Sequence, residues 1–416
     1  MKALVFDAKP EEVIRLIQQA QLTDEAFLGE HSFLSLREIP DARVQFPDWV
    51  VIRTRLCGIC GSDYKQVFMD FKNVGSPLAP FSSFPAVMGH EVVGTVQAVG
   101  PAVTSVRVGQ RVVLNPWLSC APRGIDPVCA ACRDGQYSLC ANFTRGRLSG
   151  GLHTGTCRDA SGGYAPLLPA HESMAIPVPD EVSDEEAVLA DPFAVSLHSV
   201  LHHPPEPGDQ VVVYGCGTLG LCAIEILNKL FDVEIYAITR FEHQARLARQ
   251  LGAVEAIPWR PVEKILERFA EITGDDVLEA APGTGGLPML YGTRGVRAIY
   301  NTVGTAESFE ISVRIAGPRS AVVISGVDTP DRFEWSPHYF KEVNLVGSNA
   351  FGVEEWNGRR QHAMRHYFDL IRERKIDVTP IISHRFRLGD YRDAFRTTHA
   401  QGEHEAVKVL FDLGEE

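Results

Sequence analysis

Residues 210–230 read QVVVYGCGTLGLCAIEILNKL. Gln210–Tyr214 is a short apolar run of the kind that forms a buried strand, and Thr218–Leu230 has helical periodicity. Gly215–Gly220 lies between them and fits the pattern G-x-G-x-x-G. That pattern is a weak signal alone, but a strand before it and a helix after it form the setting in which it binds a dinucleotide. The stretch therefore predicts an α/β domain with a parallel sheet.

The residues of this loop have different roles in such a site. Gly215 permits the tight turn after the strand, Gly217 lets the backbone approach a pyrophosphate, and Gly220 lets the helix pack against the strand. Thr218 and Leu219 open the helix, where backbone N–H groups bind an anion. The alternative is an ordinary glycine-rich turn that binds nothing.

The choice of cofactor depends on the residues that follow the loop. A carboxylate that binds the adenosine ribose usually lies about 20 residues further on. Thr239 lies 19 positions after Gly220, at the end of the predicted strand Glu234–Ile238, and Arg240 follows it. No carboxylate stands here to repel a 2′-phosphate, and the guanidinium of Arg240 can pair with one. The sequence therefore favours NADP(H) over NAD(H), with a solvated Arg240 and NAD(H) as the alternative.

The pattern of apolar and turn-forming residues in the first part of the chain differs from that in its middle. Residues 1–190 contain short apolar runs separated by glycine, proline and aspartate, which is typical of a β-rich domain with many turns. Residues 191–345 alternate strand-like and helix-like segments, which indicates a doubly wound parallel sheet. We expect residues 346–416 to complete the first domain. Glu11–Gln21 is interpreted as a local helical insertion and Ala280–Gly295 as a loop excursion.

Composition argues against several classes of partner. The chain has 40 Lys and Arg residues against 53 Asp and Glu residues, which gives a net charge of −13. Binding to nucleic acid or to an anionic membrane surface needs clustered positive charge, so neither is expected. No apolar stretch approaches the ~18 residues of a membrane helix, and the start of the chain has no signal-peptide core. We expect a cytoplasmic protein with a small-molecule substrate.

Four of the nine cysteines are clustered in the sequence. An odd total of cysteines with tight local clustering is not typical of a disulfide framework, and in a reducing compartment such clusters more often bind metal. Four thiolates on one short loop complete a tetrahedral Zn²⁺ site, which is the arrangement of a structural zinc. The alternative is four ordinary thiols. The four residues are Cys120, Cys129, Cys132 and Cys140.

Two further motifs lie earlier in the chain. Residues 57–63 read CGICGSD, and residues 89–91 read GHE. With the four-cysteine segment and the glycine loop following in this order, they resemble the catalytic-zinc signature of the zinc-containing medium-chain dehydrogenase/reductase family of alcohol and polyol dehydrogenases. The resemblance spans about Lys2 to Leu413. It implies a nicotinamide-dependent oxidoreductase with a β-rich, GroES-like catalytic domain and an inserted Rossmann domain.

The resemblance also implies a set of zinc ligands. Cys60 and His90 match ligands of the catalytic zinc, and Glu91 matches a nearby carboxylate that can enter or leave the coordination sphere. A third protein ligand opens the segment before the cofactor domain, where this chain has Asp191. Three protein ligands leave one exchangeable position, and two anionic ones keep the site near neutral and strongly Lewis acidic. Asp63 is the expected hydrogen-bond acceptor for the second ring nitrogen of His90.

The expected reaction is hydride transfer between an alcohol carbon and the nicotinamide, with the alcohol oxygen on zinc. In the family a Ser or Thr relays the alcohol proton, and Ser62 stands at that position. Some members then use a histidine where this chain has Lys65. The sequence leaves open whether the proton leaves through Lys65, a ribose hydroxyl or water. A homodimer or homotetramer is expected from the family alone.

The substrate is expected to be a secondary alcohol or polyol, or the corresponding ketone. Five apolar side chains between the two zinc motifs either line its pocket or pack an inserted loop, and the sequence favours neither. They are Phe68, Met69, Phe71, Phe81 and Phe84.

Two other functions stay open at this stage. A zinc-free quinone or enone reductase of the same superfamily shares the glycine loop but needs none of the zinc ligands. A non-catalytic dinucleotide sensor shares the folds but has no use for Ser62 beside an open zinc.

Overall fold

The computed structural model describes residues 1–8, 24–29, 32–69, 79–281, 286–328 and 334–414. The predicted helix Glu11–Gln21, residue Phe71 and part of Ala280–Gly295 lie outside these residues. The chain divides into two compact units. The first comprises Met1–Asp191, Arg359–Glu373 and Ile382–Glu416, and the second comprises Pro192–Gly358 and Arg374–Ile381.

Strands and helices are numbered in chain order. The strands are β1 (Lys2–Phe6), β2 (Leu34–Glu38), β3 (Trp49–Gly58), β4 (Ala86–Val87), β5 (Glu91–Val99), β6 (Arg111–Leu114), β7 (Leu167–His171), β8 (Ala175–Pro177), β9 (Gln210–Tyr214), β10 (Glu234–Thr239), β11 (Glu255–Pro258), β12 (Asp276–Leu278), β13 (Met289–Tyr291), β14 (Val296–Asn301), β15 (Ala316–Ile324), β16 (Asn344–Gly347), β17 (Val353–Trp356), β18 (Arg359–His362), β19 (Ile382–Phe386) and β20 (Lys408–Asp412). The α-helices are α1 (Gly61–Val67), α2 (Ala130–Arg133), α3 (Asp184–Val188), α4 (Ala190–His202), α5 (Thr218–Leu230), α6 (Glu242–Gln250), α7 (Val262–Thr273), α8 (Ala306–Ile315), α9 (Ser336–Lys341), α10 (Ala363–Arg372) and α11 (Tyr391–His399).

The second unit is built around a six-stranded sheet in the order β11-β10-β9-β14-β15-β16, with every neighbouring pair parallel. Numbered along the chain, that order is 3-2-1-4-5-6, which is the order of the Rossmann fold. Val211, Val212 and Val213 of the central strand β9 are fully buried. Strands of a parallel sheet are covered on both faces, so consecutive residues rather than alternate ones are apolar. The predicted doubly wound domain is confirmed.

The first unit is β-rich, as the sequence predicts. A seven-stranded sheet follows the order β19-β20-β3-β5-β6-β8, with β7 also paired to β3, and a smaller sheet follows the order β2-β1-β4. The long strand β3 pairs antiparallel with β5, β7 and β20. Its side chains Trp49, Val50 and Ile52 are fully buried and belong to the hydrophobic core of the unit.

Strand pairing also decides where the motifs of the first unit meet. Gly58, the last residue of β3, lies opposite Glu91 of β5 and opposite Leu410 of β20. A side chain at position 58 would collide with the carboxylate of Glu91. The glycine therefore lets three strands converge at the point where the chain turns toward Cys60.

The chain passes from the first unit to the second inside α4, between Asp191 and Pro192. The second unit then continues beyond residue 345, where the sequence analysis expects it to end, as far as Gly358. No helix in the described ranges is long and apolar enough to cross a membrane.

Lys341, the last residue of α9, is buried in the second unit at 6% exposure. Its Nζ donates hydrogen bonds to the carbonyl oxygens of Arg314 (2.9 Å) and Ala316 (2.6 Å). Burial, reinforced by the positive charge of Arg314, lowers the pKa of Lys341 from 10.5 to about 7. The folded state therefore favours the neutral amine.

The free energy of unfolding of the parent protein, minus that of Lys341→Met, is expected to rise between about pH 7 and pH 10. In this window the unfolded chain binds a proton at Lys341 that the folded chain does not, so raising the pH removes a penalty on folding. One pKa unit corresponds to about 1.4 kcal/mol, so the difference in the free energy of unfolding should grow by roughly 2–4 kcal/mol. Urea unfolding of both proteins across this range measures it, and a difference that stays flat with pH would contradict a neutral buried lysine.

Candidate active site

Cys60 stands at the start of helix α1. Its backbone is extended (φ −86°, ψ 155°), and its N–H donates to the carboxylate of Asp63 at 3.0 Å. The same carboxylate accepts a hydrogen bond from the hydroxyl of Tyr164 at 2.8 Å. Asp63 thus closes the first turn of the helix onto Cys60 and is itself held by a buried tyrosine. The backbone that carries the thiol is therefore fixed within the protein.

His90 and Glu91 lie where β5 begins. Gly89 precedes them with φ +90°, a conformation that favours glycine, and a side chain there would collide with the ring of Tyr164. His90 and Glu91 are buried, with 6% and 2% of their surface exposed. The strand pair β3–β5 therefore presents an imidazole and a carboxylate beside Cys60.

The structure brings Cys60, His90 and Glu91 together. One potential ligand atom from each lies within 4.8 Å of the other two. A thiolate, an imidazole and a carboxylate are all ligands of Zn²⁺ in proteins. Nearby, His90 Nδ1 and Asp191 Oδ2 are buried and have no hydrogen-bond partner in the described part of the chain. Because buried polar atoms are normally paired, this set of donors fits a metal ion.

Asp191 lies in the first turn of α4 and is 7% exposed. It is not among the three residues whose ligand atoms all lie within 4.8 Å of one another, but its charge interacts with those of His90, Glu91 and Lys408. Burial raises the pKa of Asp191 to about 7, although the neighbouring His90 favours the ionised form. The carboxylate is thus buried without full compensation of its charge, which a cation would provide.

His90 is surrounded by acidic groups. Burial by itself lowers the pKa of His90, but the charges of Asp63 and Cys60 outweigh burial and raise this pKa well above its usual value. His90 Nδ1 lies 3.6 Å from Asp63 Oδ1, which is too long for a hydrogen bond. The expected hydrogen bond from His90 to Asp63 is therefore not formed here. Asp63 Oδ2 accepts hydrogen bonds from both Cys60 and Tyr164, and Oδ1 faces His90 and acts on it through charge.

Ser62 and Lys65, the two residues of the expected proton route, both lie on α1. Ser62 is two positions after Cys60 and is partly exposed.

Three of the five apolar residues between the zinc motifs pack in or against the hydrophobic core. Phe68, Met69 and Phe84 pack within or against the core cluster of the first unit. Phe68 is 8% exposed, and its ring stacks on His399 with centroids 4.8 Å apart. These three residues support the packing interpretation rather than a pocket. The ring of Phe81 lies edge-on to that of Phe143, with the two ring centroids 6.2 Å apart.

The four clustered cysteines form a second set of potential ligands. Their sulfur atoms all lie within 4.8 Å of one another, with Cys120–Cys140 at 3.6 Å and Cys129–Cys140 at 4.0 Å. Zn–S bonds of about 2.3 Å in a tetrahedron imply S–S separations of about 3.8 Å. All four are free thiols, and Cys132 completes the set. The spacing fits a closed zinc site.

A fully buried arginine organises the chain around these cysteines. Arg123 is 0% exposed, and burial lowers the pKa of its guanidinium. Such a charge is tolerated inside a protein only when hydrogen bonds satisfy it. Its nitrogens donate, at 2.8–3.0 Å, to the carbonyl oxygens of Leu118, Arg145, Leu148, Ser149 and Gly151.

The glycine loop of the second unit has the backbone geometry of a phosphate-binding turn. Gly215 has φ +90°, and a side chain there would collide with Val303. A side chain at Gly220 would collide with the carbonyl oxygen of Gly215, whereas a Cβ atom placed on Gly217 would meet no atom of the described residues within 4 Å. Gly217 precedes helix α5 and has no side chain to cap it. The positive end of the helix dipole therefore faces a space that an anion can enter.

Thr239 and Arg240 lie at the end of β10. Thr239 is buried, and its carbonyl oxygen accepts a hydrogen bond from the N–H of Trp259 at 2.9 Å. The exposed guanidinium of Arg240 rests on two rings, with centroid distances of 5.3 Å to Trp259 and 5.1 Å to Phe241. Arg240 is therefore held beside the end of the strand by cation–π contacts.

The chain matches known proteins along most of its length. Residues 46–180 match the family model of the alcohol dehydrogenase GroES-like domain, and residues 218–364 match that of zinc-binding dehydrogenases. The chain is 31% identical over 271 residues to (R,R)-butanediol dehydrogenase of Bacillus subtilis, covering 64% of this chain and 71% of that protein. It is 29% identical over 335 residues to (R,R)-butanediol dehydrogenase of Saccharomyces cerevisiae, covering 77% of this chain and 80% of that protein.

The chain belongs to the zinc-containing alcohol dehydrogenase family. A crystal structure of 2R,3R-butanediol dehydrogenase from Bacillus subtilis shares its fold, with a TM-score of 0.71 at 21% identity over 99% of both chains. The predicted family and fold class are confirmed. Membership of this family makes the chain a zinc-dependent oxidoreductase that acts on CH–OH groups.

One residue of this zinc-containing dehydrogenase that the sequence analysis missed is Lys408, on β20. It is 2% exposed, and its Nζ donates to both carboxylate oxygens of Glu91, at 2.6 and 2.9 Å, and to the carbonyl oxygen of Ile59 at 3.1 Å. Burial lowers the pKa of Lys408, but the charge of Glu91 outweighs burial and raises it. Nothing local marks this lysine, because it is 317 residues from Glu91 and meets it only through strand pairing.

The other missed residue is His153, whose ring centroid lies 4.6 Å from that of His90. Its Nδ1 lies 2.7 Å from the carbonyl oxygen of Thr154. In the sequence it is a lone histidine in a glycine- and threonine-rich segment, so only its position in space connects it with the site.

Lys408→Met is expected to lower the free energy of unfolding by about 3–5 kcal/mol, because it leaves the buried Glu91 carboxylate without its partner. Adding Glu91→Gln should recover much of this loss, since the double variant buries no unpaired charge. Urea unfolding of the metal-free proteins measures both effects without a metal taking the place of the lysine. A double variant no more stable than the single one would show that the ion pair is not the cause.

Proposed function

We propose that the chain interconverts a secondary alcohol or polyol and its ketone, using NADP(H) and a catalytic zinc ion. The observation that carries this proposal is the convergence of Cys60, His90 and Glu91, together with a buried oxygen of Asp191 that no described residue pairs with. Similarity to two butanediol dehydrogenases supports a small alcohol with a secondary carbinol as the substrate class.

We assign Cys60, His90 and Asp191 as the protein ligands of the catalytic zinc. Both carboxylate oxygens of Glu91 accept hydrogen bonds from Lys408, so the charge of Glu91 is already compensated. Asp191 Oδ2 is buried with no hydrogen-bond partner among the described residues. A cation would therefore stabilise the Asp191 carboxylate more than that of Glu91. Glu91 is then the carboxylate that can replace a ligand when it leaves Lys408.

The residues around the ligands supply the proton chemistry. When bound, zinc polarises the substrate oxygen and the nicotinamide accepts the hydride. The thiolate of Cys60 and the carboxylate of Asp191 balance the charge of the metal. The hydroxyl of Ser62 accepts the proton of the substrate hydroxyl and passes it on through Lys65, a ribose hydroxyl or water.

The cofactor is held by the glycine loop and by the end of β10. Backbone N–H groups at Gly217, Thr218 and Leu219 bind the pyrophosphate at the start of α5. Arg240 binds the 2′-phosphate, since it is the charged residue that follows Thr239 and no carboxylate stands at that place. NADP(H) is therefore preferred to NAD(H).

We further propose a structural zinc ion on Cys120, Cys129, Cys132 and Cys140, a homodimer or homotetramer, and a cytoplasmic location. Exposed aromatic side chains on the second unit support self-association. Free thiols arranged for metal binding are typical of a reducing compartment. The exposed aromatic residues are Tyr291, Trp335, Tyr339 and Phe340.

Metal content tests this function. The parent is expected to hold about two zinc ions per chain, and Cys60→Ala and Cys132→Ala are each expected to lose about one. Cys60→Ala should abolish the alcohol-dependent reduction of NADP⁺, whereas Cys132→Ala should mainly lower stability. Ser62→Ala should keep both ions and lose about 10²–10⁴-fold in turnover, as expected for the loss of a proton relay. Elemental analysis and cofactor absorbance are the measurements.

Two results would contradict the proposal. Turnover that survives complete removal of zinc would favour the zinc-free reductase. Cofactor binding without oxidation of any simple alcohol or polyol would favour the dinucleotide sensor.

Arg240→Ala is expected to raise the KM for NADP⁺ about 10- to 100-fold, because a hydrogen bond to a charged group contributes about 1.5–3 kcal/mol. The KM for NAD⁺ should change little. Arg249→Ala is the control, since Arg249 is also an exposed arginine of the second unit and pairs only with Glu242 among its described contacts. If Arg240→Ala changed the KM values for NADP⁺ and NAD⁺ equally, Arg240 would not bind the 2′-phosphate and would be an ordinary surface arginine.

A further inference from the structure

His153 is held firmly beside the proposed zinc ligand His90. Their ring centroids are 4.6 Å apart, and the ring of Trp117 meets His153 edge-on at 5.8 Å. Backbone hydrogen bonds of 2.9–3.0 Å on both sides of His153 tie its loop to residues 116–118. The imidazole is therefore a fixed feature of the site rather than a mobile surface side chain.

The hydrogen bonding of His153 defines its tautomer. Nδ1 lies 2.7 Å from the carbonyl oxygen of Thr154, and a carbonyl oxygen can only accept, so Nδ1 carries the hydrogen. Nε2 then has a lone pair and is an acceptor. No residue in the described ranges donates a hydrogen bond to Nε2.

Aromatic rings pack close to His153. Trp117 is 8% exposed and packs between His153 and Phe143, whose ring centroid is 6.3 Å from that of Trp117. A hydrogen-bond acceptor that is fixed beside the reacting centre discriminates strongly between ligands that can donate a hydrogen bond and ligands that cannot.

We infer that His153 is a specificity-determining residue whose Nε2 accepts a hydrogen bond from a second hydroxyl group, on the carbon next to the reacting carbinol. The inference rests on the proposed function, because it places the reacting oxygen at the metal site formed by Cys60 and His90. It narrows the substrate class to vicinal diols and polyols. A substrate whose neighbouring oxygen has no hydrogen, such as an ether, cannot make this bond.

Three alcohols of similar skeleton test the inference. Butane-2,3-diol can donate to Nε2, whereas butan-2-ol has no second oxygen and 3-methoxybutan-2-ol has one without a hydrogen. The parent should prefer the diol in kcat/KM. His153→Phe should lower kcat/KM for the diol, relative to the other two alcohols, by about 3- to 10-fold, as expected for one neutral hydrogen bond. The zinc content should match that of the parent.

Conservative variants separate hydrogen bonding from packing. His153→Gln places an amide oxygen near the position of Nε2 and should keep most of the preference for the diol, whereas His153→Asn reaches only as far as Nδ1 and should lose it. His171→Gln is the control, since His171 contacts Ser173 and Asp48 in the same unit, away from the cluster. It should leave the preference unchanged. Equal losses on all three alcohols in His153→Phe, or an unchanged preference, would overturn the inference.

Failure of the proposed function is distinguishable from failure of this inference. If the zinc-loaded parent with NADP⁺ oxidises none of the three alcohols, the proposed function is wrong. Dissociation constants of the three alcohols, measured by calorimetry, then show whether His153 accepts a hydrogen bond from the diol. A preference for binding the diol that His153→Phe lacks supports the inference, and the same order of affinities in both proteins overturns it.

Discussion

The first unit has to compensate several acidic groups that it buries at one point. Asp63, Glu91 and Asp191 are each no more than 7% exposed. Lys408 compensates Glu91 through two hydrogen bonds, and Asp63 is satisfied by a tyrosine hydroxyl and a backbone N–H. Asp191 is left with a pKa raised to about 7 and with an oxygen that has no partner among the described residues. Because an unpaired buried carboxylate costs free energy, a cation beside Asp191 stabilises the whole arrangement. The convergence of β3, β5 and β20 therefore buries carboxylates whose charge a lysine balances in one case and the proposed metal ion would balance in another.

The two clusters of potential ligands are built in different ways. The four cysteines lie on one short segment, and the buried guanidinium of Arg123 holds the neighbouring backbone through five carbonyl oxygens. Such a site closes on itself and leaves nothing for a substrate. The other cluster takes Cys60 and His90 from separate motifs of the sequence, so the fold of the unit decides its shape. The four-cysteine cluster is therefore suited to a structural ion, and the cluster of Cys60 and His90 is suited to a catalytic one.

Glycines let neighbouring groups come close at both sites because they have no side chain. A side chain at Gly58 would collide with Glu91, and one at Gly89 would collide with Tyr164. In the second unit, a side chain at Gly220 would collide with the backbone of Gly215 and keep helix α5 away from β9. Close approach of backbones is therefore a shared requirement of the metal site and of the cofactor loop. It explains why both motifs are recognisable in the sequence from their glycines.

Local patterns of the sequence were sufficient to predict the doubly wound parallel sheet of the second unit, the β-rich first unit, the glycine loop and the four-cysteine cluster, and the resemblance to the family added the expected ligands of the catalytic zinc. These features depend on backbone geometry and ligand spacing within a few residues, which a linear pattern records. Tertiary structure alone decided that Lys408 pairs with Glu91, that His153 lies beside His90, that Asp63 does not hydrogen-bond His90, and that Phe68 packs in the core. These contacts join residues far apart in the chain or depend on differences of less than 1 Å. Strand pairing and burial create them, and neither leaves a signal near the residues concerned.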